Sequence, residues 1–111
     1  METVCHKNLT GGRWAELSFA EQMGNVGSEV GRAISWQKRG QEQLKEQALI
    51  RAFELLDLTV CDRRWRGKLK ELLRAREALA DFFYGDNIYR SSPEFLERYF
   101  YHFARAARKN R

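Results

Sequence analysis

The sequence predicts an all-α protein, an up-down-up-down antiparallel four-helix bundle that self-associates. Three observations support this fold class. Apolar residues recur every three or four positions in four separate segments. No segment alternates apolar and polar residues as a strand does, and short polar or glycine-containing links separate the four segments. Because 111 residues are enough for one hydrophobic core, we expect a flexible N-terminal arm at residues 1–12 and a single bundle domain at residues 13–111.

The first predicted helix begins after Ser18 and ends near Lys38. Ser18 and Glu21 have the spacing of a capping box, and Gly40 follows the helix as a C-terminal glycine does. Beside the apolar stripe runs a stripe of small residues that includes Gly24, Gly27 and Gly31. Since a glycine inside a helix costs about 1 kcal/mol relative to alanine, we expect this face to lie close to another helix. That neighbour is either helix 4 of the same chain or the same helix of a second subunit.

The other three helices follow from similar signals. Helix 2 is predicted at residues 41–60, where the apolar face is wide enough to contact two neighbours. Asp62 is the predicted N-cap of helix 3, which spans residues 63–84 and ends at a glycine. Ser92 at the N-cap and Pro93 at the first helical position predict the start of helix 4.

The net charge of +5 is concentrated in two short segments. Residues 62–70 carry five Lys or Arg residues and one acid, and residues 105–111 carry four and no acid. These segments together hold +8, which leaves −3 for the rest of the chain. Because the predicted topology brings the start of helix 3 and the end of helix 4 to one end of the bundle, we expect a basic pole there. The residues assigned to nucleic-acid binding at this basic pole are Arg63, Arg64, Trp65, Arg66, Lys68, Lys70, Arg105, Arg108 and Lys109, and Arg111 adds the last charge.

A basic pole of this kind favours nucleic acid as a partner. Each phosphate that is neutralised by Lys or Arg releases counterions, and aromatic or guanidinium planes can stack on unpaired bases. The alternative is a solvated helix end, because cations are favoured at helix C-termini. That explanation suits helix 4 but not helix 3, whose N-terminal dipole disfavours cations. Trp65 itself is interpreted as a lid on the core rather than as a stacking surface.

Arg76 stands where the pattern of helix 3 calls for an apolar residue. Leu72 and Leu79 flank it at helical spacing, so we expect it to be buried and paired with a carboxylate. The candidate partners are Glu29, Glu54, Asp57 and Asp81. We interpret Arg76 as half of a buried ion pair that fixes helix register; the alternative is an arginine that lines a polar site in the core.

No catalytic or metal-binding motif is recognisable. Cys5, His6, Cys61 and His102 share no metal-ligand spacing, and both cysteines are expected to be free thiols. No apolar run reaches the roughly 18 residues of a membrane span, and residues 1–7 lack the apolar core of a secretory signal. We therefore expect a cytoplasmic, bacterial protein with no membrane partner, cofactor, metal or catalytic residue.

Arg98 and His102 are the one pair of residues that bears on catalysis. HEPN-domain ribonucleases carry an arginine, four to six intervening residues and a histidine, whereas three residues separate Arg98 from His102. The motif is not met, and a packed structural histidine is the simpler interpretation. A HEPN-like ribonuclease is kept as a third hypothesis.

Four segments resemble those of a class of small bacterial four-helix-bundle proteins. The segments are residues 23–34 (MGNVGSEVGRAI), 54–59 (ELLDLT), 80–87 (ADFFYGDN) and 99–108 (YFYHFARAAR). In size, basic charge and helical layout the chain is similar to the Avd-like and ribosomal intervening-sequence class over roughly residues 14–108. Avd is the accessory protein of diversity-generating retroelements, an oligomeric basic bundle that partners a reverse transcriptase and its template RNA. The chain lacks the Asn-Ile-Ala-Glu-Gly signature of the intervening-sequence branch, and the class has no motif from which a functional residue can be carried over.

The leading hypothesis is a non-enzymatic, oligomeric protein that binds RNA through the basic pole. It would act as an adaptor or accessory subunit, with a larger enzyme such as a reverse transcriptase as the partner that the resemblance implies. The second hypothesis is a protein-interaction module without nucleic-acid affinity.

Overall fold

The computed structural model describes residues 12–109. Within this range the protein is all-helical, without strands, and four α-helices pack against one another, which confirms the all-α class and the number of long helices. The elements are a 3-10 helix at Gly12–Glu16, α1 at Phe19–Lys38, α2 at Glu42–Val60, a second 3-10 helix at Arg63–Lys68, α3 at Leu69–Tyr84 and α4 at Pro93–Lys109. Of the predicted arm, residues 1–11 lie outside the described residues, as does Arg111, and Gly12 begins the first 3-10 helix.

α1 makes the largest contacts with other helices. It packs extensively against both α2 and α4, whereas α3 contacts α2 over a smaller surface. The apolar stripe of α1 is buried as its spacing predicts, and burial of each large aliphatic side chain stabilises the fold by about 1.5–3 kcal/mol. The main cluster of buried apolar residues is Met23, Val26, Val30, Ile34, Ala52, Leu56, Leu72, Leu79, Leu96 and Phe100.

Local capping signals account for most helix ends. The Ser18 hydroxyl accepts from the Glu21 backbone N–H at 3.1 Å, and the Ser18 N–H donates to the Glu21 carboxylate at 2.8 Å, so the predicted capping box is present. The Ser92 hydroxyl likewise accepts from the Phe95 N–H at 3.0 Å. Gly40, just beyond α1, has a φ of +72°, a left-handed conformation that glycine adopts without steric cost.

Helix 3 differs from its prediction. Instead of one helix over residues 63–84, a 3-10 helix at Arg63–Lys68 precedes α3, and Asp62 caps the 3-10 helix through the Arg64 N–H at 3.0 Å. Trp65 leaves helical geometry, with φ −104° and ψ 25°. The indole lies against the start of α1, where it contacts Phe19 and Gln22. The nearby Gly67 lowers helix stability by about 1 kcal/mol relative to alanine. Tertiary contacts of Trp65 therefore override the helical pattern of the sequence.

The small-residue face of α1 lies against α4 of the same chain. A Cβ added to Gly24 would stand 3.4 Å from the Ala104 Cα, and one added to Gly27 would stand 2.4 Å from the Phe100 Cβ. A Cβ on Gly31 would have no atom within 4 Å. Two of the three glycines thus allow close approach of α4, and Gly31 lies beyond that contact.

Candidate nucleic-acid interface

The two basic segments meet over the start of α1. The Phe19 ring lies edge-on to Trp65 of the second 3-10 helix, with ring centroids 5.3 Å apart, and edge-on to Phe103 of α4 at 5.6 Å. The Lys68 ammonium lies 5.1 Å from the centroid of the same Phe19 ring. An aromatic cluster therefore joins the segment that carries Arg63–Lys68 to the end of α4.

Most cations of the basic pole are exposed and form no ion pair with another residue of the described range 12–109. Within residues 12–109, carboxylate ion pairs are formed by Arg32, Lys45, Arg64 and Arg76. Of these four, Arg64 alone belongs to the basic pole. The basic-pole residues that are exposed and form no ion pair in this range are Arg63, Arg66, Lys68, Lys70, Arg105, Arg108 and Lys109. Positive charge at this end is therefore available to a polyanion.

Arg64 has a structural role that the sequence did not reveal. Its guanidinium pairs with the Asp62 carboxylate at 2.7 Å and donates to the Leu17 carbonyl at 2.8 Å. The hydrogen bond from Arg64 lowers the pKa of Asp62, and the same bond raises the pKa of Arg64. The charge of Arg64 is thus paired within the chain, where its guanidinium links Asp62 to Leu17, two residues before α1 begins. Its assignment to nucleic-acid binding stays a prediction.

Gln22 is a buried residue that sequence reasoning missed. Its side-chain oxygen accepts from the Trp65 indole N–H at 2.9 Å, and its amide nitrogen donates to the Trp14 carbonyl at 2.8 Å and to Asp62 Oδ2 at 3.1 Å. The available signal was its position, three residues after Phe19 on the apolar face of α1. A polar side chain on such a face needs hydrogen-bond partners, and here those partners fix the second 3-10 helix.

Trp65 is held as a lid rather than presented as a stacking surface. The indole packs partly buried against the main core, and its N–H is satisfied by Gln22. The Arg64 guanidinium carbon lies 4.4 Å from the ring centroid. With one edge bonded and one face covered, Trp65 contributes to the shape of the basic pole and offers little open ring to a base.

The predicted ion pair of Arg76 forms with Asp57, at 2.7 Å. It is not buried, because the two side chains are 41% and 34% exposed. The small contact surface between α2 and α3 leaves this side of α3 open to solvent. An exposed pair of this kind contributes about 0–1 kcal/mol, so Arg76 neither lines a core site nor dominates stability.

Three of the four tyrosine hydroxyls donate a hydrogen bond to a glutamate carboxylate. Tyr84 donates to Glu46 at 2.9 Å, Tyr89 to Glu77 at 2.9 Å and Tyr99 to Glu71 at 3.2 Å. Burial and the Glu46 carboxylate raise the pKa of Tyr84 to about 12, and burial and the Glu71 carboxylate raise that of Tyr99. The fourth hydroxyl, that of Tyr101, has no hydrogen-bond partner among residues 12–109.

Arg98 and His102 lie on successive turns of α4, and both side chains are exposed. The imidazole contacts Phe103 edge-on at 5.4 Å. The interpretation of His102 as a packed structural residue is therefore wrong: the helix turns it towards solvent. Arg98 lies beside a groove between α1 and α4 with a volume of about 470 Å³.

Residues 12–109 hold no group of His, Cys, Asp and Glu side chains that could bind a metal ion, and no helix in that range is long and apolar enough to span a membrane. Cys61 is disulfide-bonded, so the expectation of a free thiol is wrong for this residue. Cys5 and His6 lie outside the described residues.

Comparison of the chain with protein-family models, curated proteins and solved structures found no match.

Proposed function

We propose that this protein is a non-enzymatic RNA-binding bundle that acts as an oligomeric adaptor or accessory subunit. The observation that carries the proposal is the set of seven exposed cations that form no ion pair within residues 12–109, on two segments that meet at Phe19 through Trp65 and Phe103. Repulsion among like charges at one end of a small domain opposes folding, and a bound polyanion would relieve it. An RNA backbone supplies such a polyanion, with affinity that comes from counterion release.

The proposal includes the up-down-up-down arrangement of the helices. Contacts between the helices support it. As the residue number rises along one helix, the number of the contacting residue falls along its neighbour, which is what antiparallel helices show. On α1 and α4 the pairs are Gly24 with Ala104 and Gly27 with Phe100. On α2 and α3 they are Glu46 with Tyr84 and Asp57 with Arg76. In this arrangement the second 3-10 helix and the end of α4 share one pole.

RNA affinity should fall steeply as salt rises. For single strands the slope of log K against log salt is about −0.7 for each phosphate contact. If four to seven cations of the basic pole contact phosphates, we expect a slope between about −3 and −5. Fluorescence anisotropy of labelled oligouridine between about 50 and 200 mM salt measures it. A slope near zero, or no binding at low salt, would contradict the proposal.

The alternative is a protein-interaction module. Exposed apolar residues around the link between α3 and α4, at the end of the bundle away from the basic pole, support it. Tyr84, Ile88 and Phe95 are all more than half exposed, and exposed apolar groups of this size mark contact sites when they are contiguous. Sedimentation separates the two functions. The RNA-binding protein gains mass when RNA is added, whereas the interaction module forms a stable oligomer that RNA does not change.

A ribonuclease of the HEPN kind predicts a different result in the same experiment. RNA would be cleaved, and His102→Ala would abolish cleavage. RNA that stays intact during long incubation supports the non-enzymatic function.

The proposed enzyme partner rests on the resemblance to the Avd-like class. A reverse transcriptase is the enzyme partner that we propose, and co-purification of the two proteins with RNA would test it. A cytoplasmic location stays a prediction. The disulfide at Cys61 weighs against it, because disulfides are rare in reducing compartments.

A further inference from the structure

One face of α4 repeats positive charge on either side of an aromatic ring. Arg98, Tyr101, Arg105 and Arg108 follow each other at intervals of three, four and three residues, which places them in one stripe of the helix. All four are exposed, and the three arginines form no ion pair within residues 12–109. At 1.5 Å per residue the stripe is about 15 Å long, and its last two arginines belong to the basic pole.

Tyr101 at the centre of this stripe is placed differently from the other tyrosines. It is 55% exposed, and its hydroxyl has no partner in the described part of the chain. The Arg108 guanidinium carbon lies 5.8 Å from its ring centroid. Tyr101 is therefore a solvent-exposed aromatic ring with a cation beside it, and no hydrogen bond within residues 12–109 gives it a structural role.

A groove between α1 and α4 lies beside Tyr101. It has a volume of about 470 Å³ and is bounded by α1 and α4. Gly24, Gly27 and Ser28 line the α1 side of the groove, and Phe100, Tyr101 and Ala104 line the α4 side. Glu97 and Arg98 also line it, whereas Arg105 and Arg108 lie outside the lining, further along the same stripe. Because Glu97 would repel a phosphate, the Arg105 side of Tyr101 is favoured for the RNA backbone.

We propose that this groove binds single-stranded RNA, with an unpaired base stacked on Tyr101 and the adjoining phosphates held by Arg105 and Arg108. The inference rests on the proposed RNA-binding function and extends the basic pole along α4. Base stacking on aromatic rings tolerates any sequence. It requires an unpaired base, because the bases of a duplex are stacked on one another. The stripe thus selects single strands over duplexes.

The test compares Tyr101 variants on two RNA probes, a labelled oligouridine and a labelled duplex of the same length. We expect Tyr101→Ala to weaken oligouridine binding roughly tenfold and to leave duplex binding unchanged. Tyr101→Phe, which keeps the ring, should bind as the wild type does. Tyr89→Ala is the matched control, since Tyr89 is 52% exposed but donates to Glu77 and is not among the residues that line this groove.

Each remaining outcome is decisive. If both RNAs bind and Tyr101→Ala changes neither affinity, or changes both equally, the stacking proposal is overturned while the proposed function stands. If the wild type binds neither RNA, both are overturned. Loss of an oligomer in Tyr101→Ala without a change in RNA affinity assigns this face to protein contact. Tyr101→Leu, which keeps an apolar side chain but removes the ring, replaces Tyr101→Ala if the alanine variant does not fold, and it carries the same expectations.

Discussion

Replacing Gly27 by alanine should lower the melting temperature by roughly 10 °C. The added Cβ would stand 2.4 Å from the Phe100 Cβ, and Phe100 is 3% exposed. A Cβ cannot rotate away from its own backbone, so α4 itself must move. At the upper end of its usual range, overpacking lowers the free energy of unfolding by about 3 kcal/mol. The higher helix propensity of alanine offsets about 1 kcal/mol of this loss. The net loss of about 2 kcal/mol corresponds to roughly 8–16 °C for a domain of this size.

Gly31→Ala is the matched control on the same helix. No atom lies within 4 Å of the added Cβ, so the gain in helix propensity of up to about 1 kcal/mol should appear as a rise in melting temperature of roughly 4–8 °C. Thermal unfolding followed by circular dichroism measures both variants. If Gly27→Ala melts at or above the wild-type temperature, α1 and α4 are not in the described contact.

Replacing Gln22 by leucine should destabilise the protein by about 1–3 kcal/mol. Leucine is similar in size to glutamine but leaves the Trp65 N–H and the Trp14 carbonyl without the partner that Gln22 supplies. Denaturant unfolding measures the loss. Gln47→Leu on the exposed side of α2 should stay within about 0.5 kcal/mol of the wild type.

A double-mutant cycle with Trp65→Phe isolates the Gln22–Trp65 bond. Phenylalanine removes the indole N–H, so the loss caused by Gln22→Leu should be smaller in the Trp65→Phe background by about 0.5 kcal/mol or more. Additive losses would show that the bond contributes nothing and that the second 3-10 helix is held by packing alone.

Signals that act within one turn of the chain predicted the helices well. Ser18 with Glu21, Ser92 with Pro93, and the glycines after α1 and α3 placed the helix ends because capping depends on neighbouring residues. The apolar stripe of α1 predicted its buried face for the same reason, since helical spacing alone decides which side chains share a face.

Features that depend on distant residues were not predictable. The break at Trp65 depends on Gln22, which is 43 positions away in the sequence, and no local pattern links the two. Arg76 was expected to be buried because its helical neighbours are leucines, but burial depends on how closely α3 approaches α2. Tyr101 received no role because the groove beside it depends on how α4 lies against α1, which its sequence neighbours do not show.

The candidate site shows the same division. Charge counting along the sequence located the basic pole, since local composition is visible without a fold. It could not separate Arg64, whose charge is paired with Asp62, from Arg63 and Arg66, which form no ion pair in the described part of the chain. That distinction decides which residues are useful in an experiment, because replacing Arg64 would disturb the fold as well as the charge.

We propose that RNA binds specifically at the basic pole, and that its affinity does not come from the net positive charge of the protein alone. RNA affinity of the double variant Arg63→Glu/Arg66→Glu, compared with Lys38→Glu/Arg51→Glu, tests it most directly. All four residues are exposed and without ion pairs within residues 12–109, and both variants change the net charge equally. We expect the basic-pole variant to bind oligouridine at least roughly tenfold more weakly, with a salt slope shallower by about 1.4, and the control to stay near the wild type. Equal losses in the two variants, or no loss in either, would contradict the assignment of RNA to this pole.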